Sequence, residues 1–213
     1  EVVDGTTAVK FNDRGMRGTL TINEGATLKP FGYVDGANYD GAVTINVYGT
    51  LDMNDEWARW TLRAAHTINF YVGSQVIGNG QSGNNTGAIQ PNTATTFHFL
   101  KKDDGLAGEV QLKALYHSQA ASTFAIEKGV TVVMENASGL GTGKEPITVD
   151  GDGTLVFKST MPFNAPITVN GARCRVSGFR SEFGANSFRS AQGGDGLVNV
   201  FGSGSVIENC WFK

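Results

Sequence analysis

The stretch Val43-Thr44-Ile45-Asn46-Val47-Tyr48-Gly49-Thr50-Leu51 decides the fold. Apolar and polar residues alternate along it. One side of an extended strand therefore carries Val43, Ile45 and Val47, and the other carries Thr44 and Asn46. A glycine then leads into a second short strand with Leu51 and Met53. The central word recurs as Thr21-Ile22-Asn23, Thr67-Ile68-Asn69, Thr148-Val149-Asp150 and Thr168-Val169-Asn170, and successive starts lie 23, 23, 81 and 20 residues apart. Recurrence at twenty-odd residues is the mark of stacked coils.

Working outward, each copy is followed by a second apolar run: Leu28, Val76, Leu155 with Phe157, and Cys174 with Val176. The intervals Gly25 to Gly49, Gly49 to Gly73 and Gly129 to Gly153 are each 24 residues. Phe124-Ala125-Ile126, followed by Val130, Val132 and Met134, keeps the layout without the word. Phe97-His98-Phe99 and Val110-Gln111-Leu112 supply another coil, interrupted by Lys101-Lys102-Asp103-Asp104-Gly105. The expected architecture is all-β: a single-stranded right-handed parallel β-helix, or β-solenoid, of about eight coils, with residues 1–213 forming one domain. Three segments are expected to leave the stack. Residues 52–65 place acidic groups before an apolar i, i+3 pair and predict a turn or two of helix. Residues 78–95 and 177–196 read as loops.

Bulk properties narrow the function. The chain has 213 residues and a net charge of −3, and only 17% of its residues are charged. That balance leaves no electrostatic footprint for nucleic acid. The longest apolar runs are four or five residues, too short for a membrane-spanning helix. Polarity resting on Thr, Asn, Ser and Gly suits an extracellular all-β protein. The opening at Glu1 and the strand-like tail Val206-Ile207-Glu208-Asn209-Cys210-Trp211-Phe212 read as a segment of a longer parent chain.

Few motifs carry chemistry. Gly78-Asn79-Gly80-Gln81-Ser82-Gly83 matches a dinucleotide fingerprint, but Asn84-Asn85-Thr86-Gly87 after it is not the start of a helix. Asp150-Gly151-Asp152-Gly153 is turn chemistry and lacks the ligands of a calcium loop. His66, His98 and His117 have no metal-ligand spacing, so neither a metal nor a cofactor is expected. Cys174 and Cys210 are read either as small buried residues or as a disulfide between nearby coils.

The segment from Met134 to Phe157 holds Leu140-Gly141-Thr142-Gly143, Ile147-Thr148-Val149-Asp150 and Gly153-Thr154-Leu155. It resembles the autotransporter-associated β-strand repeat, and Thr44 to Leu51 is a second partial match. The tail around Ile207-Glu208-Asn209-Cys210-Trp211-Phe212 also looks like a coil of the pectate-lyase-like β-helix superfamily. The first resemblance implies a passenger, adhesin or stalk on a bacterial surface. The second raises a polysaccharide lyase or glycoside hydrolase.

Candidate ligand-binding residues are Trp57, Arg59, Trp60 and Arg63, where aromatic faces beside arginines suit a glycan, and Arg173 with Arg175, which should face outward together. No catalytic residue is assigned. The expected function is a non-catalytic secreted or cell-surface module that presents lateral loops to a host or matrix ligand such as a glycan. The β-helical portion of a polysaccharide-degrading enzyme is the alternative. An ice-binding solenoid is a minor one, because the outward Thr-x-Asn column reads as broken between Asn69 and Thr148.

Overall fold

The structure is a computed structural model that describes residues 1–9, 18–30, 33–35, 43–53, 59–62, 66–78, 88–91, 93–113, 115–116, 120–135, 147–158, 167–178, 180–181 and 198–212. Among them are strands and no helix. The first sheet stacks β2 (Gly18–Ile22), β5 (Val43–Val47), β8 (Thr67–Tyr71), β11 (Thr95–Leu100), β14 (Ser122–Ile126), β16 (Ile147–Gly151), β18 (Ile167–Val169) and β21 (Val198–Val200), in that order. The second runs β1 (Thr6–Val9), β3 (Thr27–Pro30), β6 (Thr50–Asp52), β9 (Gln75–Ile77), β12 (Gly108–Leu112), β15 (Val130–Met134), β17 (Thr154–Phe157), β19 (Arg175–Ser177) and β22 (Val206–Glu208). Neighbours pair in parallel throughout both sheets. Successive coils contribute the pairs β2/β3, β5/β6, β8/β9, β11/β12, β14/β15, β16/β17, β18/β19 and β21/β22. The protein is a parallel β-solenoid.

Alternation sorts side chains as the sequence predicts. Leu28, Leu51, Met53, Val76, Leu155, Phe157, Cys174 and Val176 are all buried, as are Ile22, Ile45, Ile68 and Val149 of the first sheet. Midway along the shaft the core turns aromatic. Phe70 and Phe99 lie 5.6 Å apart at 13°, and Phe99 and Phe124 lie 5.3 Å apart at 57°.

The excursions hold a third sheet that sequence reasoning did not anticipate. It stacks β4 (Tyr33–Asp35), β7 (Arg59–Leu62), β10 (Ala88–Pro91) and β13 (Leu115–Tyr116) in parallel. The helix expected within 52–65 is therefore corrected at Arg59–Leu62, and the loop expected over 78–95 is corrected at Ala88–Pro91. Pairing to neighbours in other coils overrides a weak local helix pattern. The later excursion, read as loop, contributes β20 (Arg180–Ser181), which pairs with β23 (Trp211–Phe212).

Four of the turns between the first two sheets share a geometry. Gly25, Gly73, Gly129 and Gly204 all have positive φ, as type II-like turns require at their third residue. In the turn before β19 the equivalent place holds Arg173, with φ 60°. Its guanidinium is 70% exposed and lies 3.6 Å from Asp152, an ion pair of little weight. Arg173→Gly should raise stability by up to about 1 kcal/mol, because a left-handed non-glycine residue is strained by roughly that much. A urea midpoint lower than wild type would contradict this.

Candidate functional site

The outer face of the first sheet carries three columns. Thr19, Thr44, Thr67, Thr96, Thr123, Thr148 and Thr168 occupy one register position through seven consecutive coils, and Asn199 follows. The expected break between Asn69 and Thr148 is absent from the threonine column, where Thr96 and Thr123 fill it, and holds in the second column, where His98 and Ala125 stand in place of Asn. The repeated word is also out of step in its first copy. Thr21 registers with Asn46, and Thr19 is the residue that aligns with Thr44. The second column is Thr21, Asn46, Asn69, His98, Ala125 and Asp150. The third, at the corner, includes Tyr48, Tyr71 and Leu100.

Side-chain bonding differs between these columns. Asn69 Nδ2 donates to Asn46 Oδ1 at 2.8 Å, a cross-coil amide ladder. On the second sheet, Gln75 Nε2 likewise donates to Thr50 Oγ1 at 3.1 Å. None of the seven threonine hydroxyls of the first column bonds a protein group among the described residues. That column offers its hydroxyls to whatever lies outside.

Tyr48 and Tyr71 stack with ring centroids 3.9 Å apart and planes 10° apart. A hydrogen bond to the Tyr71 side chain, then burial, pushes the Tyr48 phenol from its usual 10.0 up to about 12. The folded chain thus holds this proton more tightly than the unfolded chain does. The resulting stabilisation is complete below pH 10 and is lost as pH rises toward 12. Denaturant midpoints should fall between pH 10 and 12 by more in wild type than in Tyr48→Phe. Equal falls would count against the hydrogen bond.

The segment after β11 is tied to coils on both sides of it at this corner. The Lys101 N–H donates to Glu127 Oε2 at 2.8 Å, and the Leu106 N–H donates to Asp104 Oδ1 at 2.9 Å. Lys102 Nζ reaches Glu24 Oε1 at 2.6 Å, across 78 residues of sequence and past the turns of two intervening coils. Asp103, exposed on the same segment, adds a small upward push to the Tyr48 pKa. Sequence reading took Lys101–Gly105 for an interruption of one coil. It braces several coils and borders the tyrosine pair.

The residues singled out from sequence are scattered. Trp57 and Arg63 lie outside the described residues, as does His117. Arg59 and Trp60 lie on β7, in register with Ala88 and Ile89 of β10, and Ile89 is buried. Arg173 and Arg175 are both exposed, as alternation predicted. Arg175 Nη1 donates to Glu208 Oε1 at 2.8 Å on the adjacent strand β22, so its charge ties two coils together. Sequence reasoning missed both carboxylate partners, because each sits in another coil.

Cys174 and Cys210 are thiols, and no disulfide joins them. Cys174 donates to the Gly151 carbonyl at 2.8 Å, and Cys210 donates to the Glu208 carbonyl at 3.2 Å. Burial, followed by Asp150 and Asp152, raises the Cys174 pKa, which keeps it an inert thiol. His66 is buried, and desolvation lowers its pKa. Among the described residues no group of three or more His, Cys, Asp or Glu side chains is placed to hold a metal ion.

The outer face of the first sheet is therefore the best candidate site: hydroxyl- and amide-bearing, and set on a hydrogen-bonded ladder of parallel strands. No protein-family model matches the chain, and no curated protein or solved structure matches it.

Proposed function

We propose that this chain is a non-catalytic solenoid module of a secreted or surface-exposed bacterial protein, of adhesin, passenger or stalk type, which presents its lateral surface to a host or matrix ligand. One observation carries the reading: three ion pairs among the described residues run between coils rather than within one. Lys102 pairs with Glu24, Arg175 with Glu208 and Arg173 with Asp152. The two short pairs, Lys102–Glu24 and Arg175–Glu208, link coils of the shaft and leave these groups engaged. A polysaccharide lyase or hydrolase needs a poised acid and base on one face. Fold alone does not separate the two readings.

The test joins retention and turnover. The immobilised module is exposed to matrix proteins and to a panel of soluble and insoluble glycans, and the supernatants are analysed for cleavage products. Retention of at least one ligand with no product is expected. Product formation that disappears in Arg175→Ala would replace this reading with the enzymatic one.

The unbroken threonine column favours a second reading, an ice-binding face. A regular array of hydroxyl and methyl groups can order water when no protein partner claims the hydroxyls. Thermal hysteresis or inhibited ice recrystallisation, lost in Thr67→Lys, would support it.

A further inference from the structure

The three coils β5/β6, β8/β9 and β11/β12 bring Thr44, Thr67 and Thr96 into one column and Asn46, Asn69 and His98 into the next. Tyr48 and Tyr71 stand beside them at the corner. We propose that this patch binds the flat face of an uncharged, insoluble polysaccharide. The proposal rests on the ligand-display reading above and names the ligand class.

Charge is the first argument. Among the described strand positions whose side chains lie on this outer face, Asp150 carries the only fixed charge, and it lies on β16, two coils beyond β11, the last strand of the patch. Lys102, Glu24 and Asp103 sit at the corner, and Arg175 and Glu208 sit on the other sheet. The threonine column and the Asn/His column carry no lysine or arginine. The nearest cations among the described residues, Lys101 and Lys102, stand at the corner, where Lys102 is held by Glu24, so a uronate, sulfate or phosphate polymer gains little there. A neutral polymer loses nothing by that.

Hydrogen-bonding capacity is the second. The hydroxyls of Thr44, Thr67 and Thr96 have no protein partner among the described residues. Asn46 and Asn69 spend one donor and one acceptor on each other, which leaves amide hydrogens and lone pairs over. Sugar hydroxyls both donate and accept, and this mixed supply matches them.

Rigidity is the third. Coils repeat every ~4.8 Å, and outward residues along a strand repeat every ~7 Å, so the array has fixed steps in two directions. Each contact with a hydroxyl is weak in water, and useful affinity needs many at once. A flexible soluble chain would have to be ordered first. The surface of a packed polysaccharide is already ordered and presents a repeat of its own.

The experiment measures retention of the intact module on microcrystalline cellulose and on chitin. Soluble pectate serves as the acidic comparison, and ice adsorption is measured in parallel. Wild type should be retained on at least one neutral solid and not by pectate. Thr67→Lys should cut retention by about tenfold. A triple variant with Thr44, Thr67 and Thr96 changed to Val, which keeps shape and strand propensity, should do the same with an unchanged circular dichroism spectrum. Thr154→Lys, on the other sheet, should bind as wild type does. The proposal is overturned by an absence of retention on either solid, by retention that the Val variant leaves intact, or by adsorption to ice alone. Retention on immobilised matrix proteins, measured alongside, with none on either solid would overturn it while leaving the broader display reading in place.

Discussion

Gly171→Ala is expected to destabilise the solenoid by about 3 kcal/mol or more. Gly171 is buried at the corner before β19. A Cβ there would overlap the backbone oxygen and nitrogen of Gly151 in the preceding coil and come within 2.7 Å of Cys174 Sγ. The next coil repeats the closeness, since a Cβ on Gly202 would strike the Gly171 oxygen. Three successive corners thus pack backbone on backbone. An added methyl could be housed only by separating coils whose spacing is set by the hydrogen-bonded ladders β16/β18 and β17/β19. Gly25→Ala is the control. Gly25 has φ 78° and nothing near its Cβ position, so only backbone strain of about 1–2 kcal/mol opposes alanine. A urea midpoint shift for Gly171→Ala no larger than for Gly25→Ala would refute the packing argument.

Phe99→Ala is the second large effect, with an expected loss of about 3–5 kcal/mol. Phe99 is fully buried and touches the rings of Phe70 in the coil before and Phe124 in the coil after. Phe97, on the same strand, meets the same two rings at 6.5 and 5.4 Å. The walls around this cluster are sheets fixed by their ladders, so the cavity left by truncation cannot close. Solenoid stability is nearly a sum of coil and neighbour terms, and the defect falls on two neighbour terms at once. Unfolding followed by tryptophan fluorescence and by circular dichroism should then separate into two transitions, where wild type shows one. Phe99→Leu should recover more than half of the loss. A cost below about 1 kcal/mol for Phe99→Ala would show that the aromatic cluster is not a stability centre.

Much of this architecture was legible because period-2 alternation and burial are the same fact seen twice. Every inward residue predicted after a glycine turn is buried. The glycine intervals were informative for mixed reasons. Gly25, Gly73 and Gly129 have positive φ, whereas Gly49 and Gly153 are required by close approach, to the Asn23 and Ala26 carbonyls and to Ile126 respectively. Equal spacing therefore marked corners without revealing which constraint acts there.

Register was harder to read. Thr19-Leu20-Thr21-Ile22 offers two threonines, and a slip of two residues preserves the inward face, so local sequence does not choose between them. Thr96 and Thr123 went unnoticed because His98 and Ala125 replace the expected Asn two positions on. Long-range partners left no trace in spacing. Glu24 for Lys102 and Glu208 for Arg175 become neighbours only once the coils are stacked. The third sheet was hidden for the same reason, since Arg59–Leu62 is a strand by virtue of 33–35 and 88–91 beside it.

The Lys102–Glu24 brace has a mechanical consequence. A rod of coils pulled from its ends tends to peel one turn at a time, because each turn grips only the next. A tie from the β11/β12 coil to the β2/β3 coil makes the first four turns share the load. Under tension this end of the shaft should yield as a single block, at higher force than the untied turns that follow. Neutralising Lys102, or raising the salt concentration, should return it to turn-by-turn peeling.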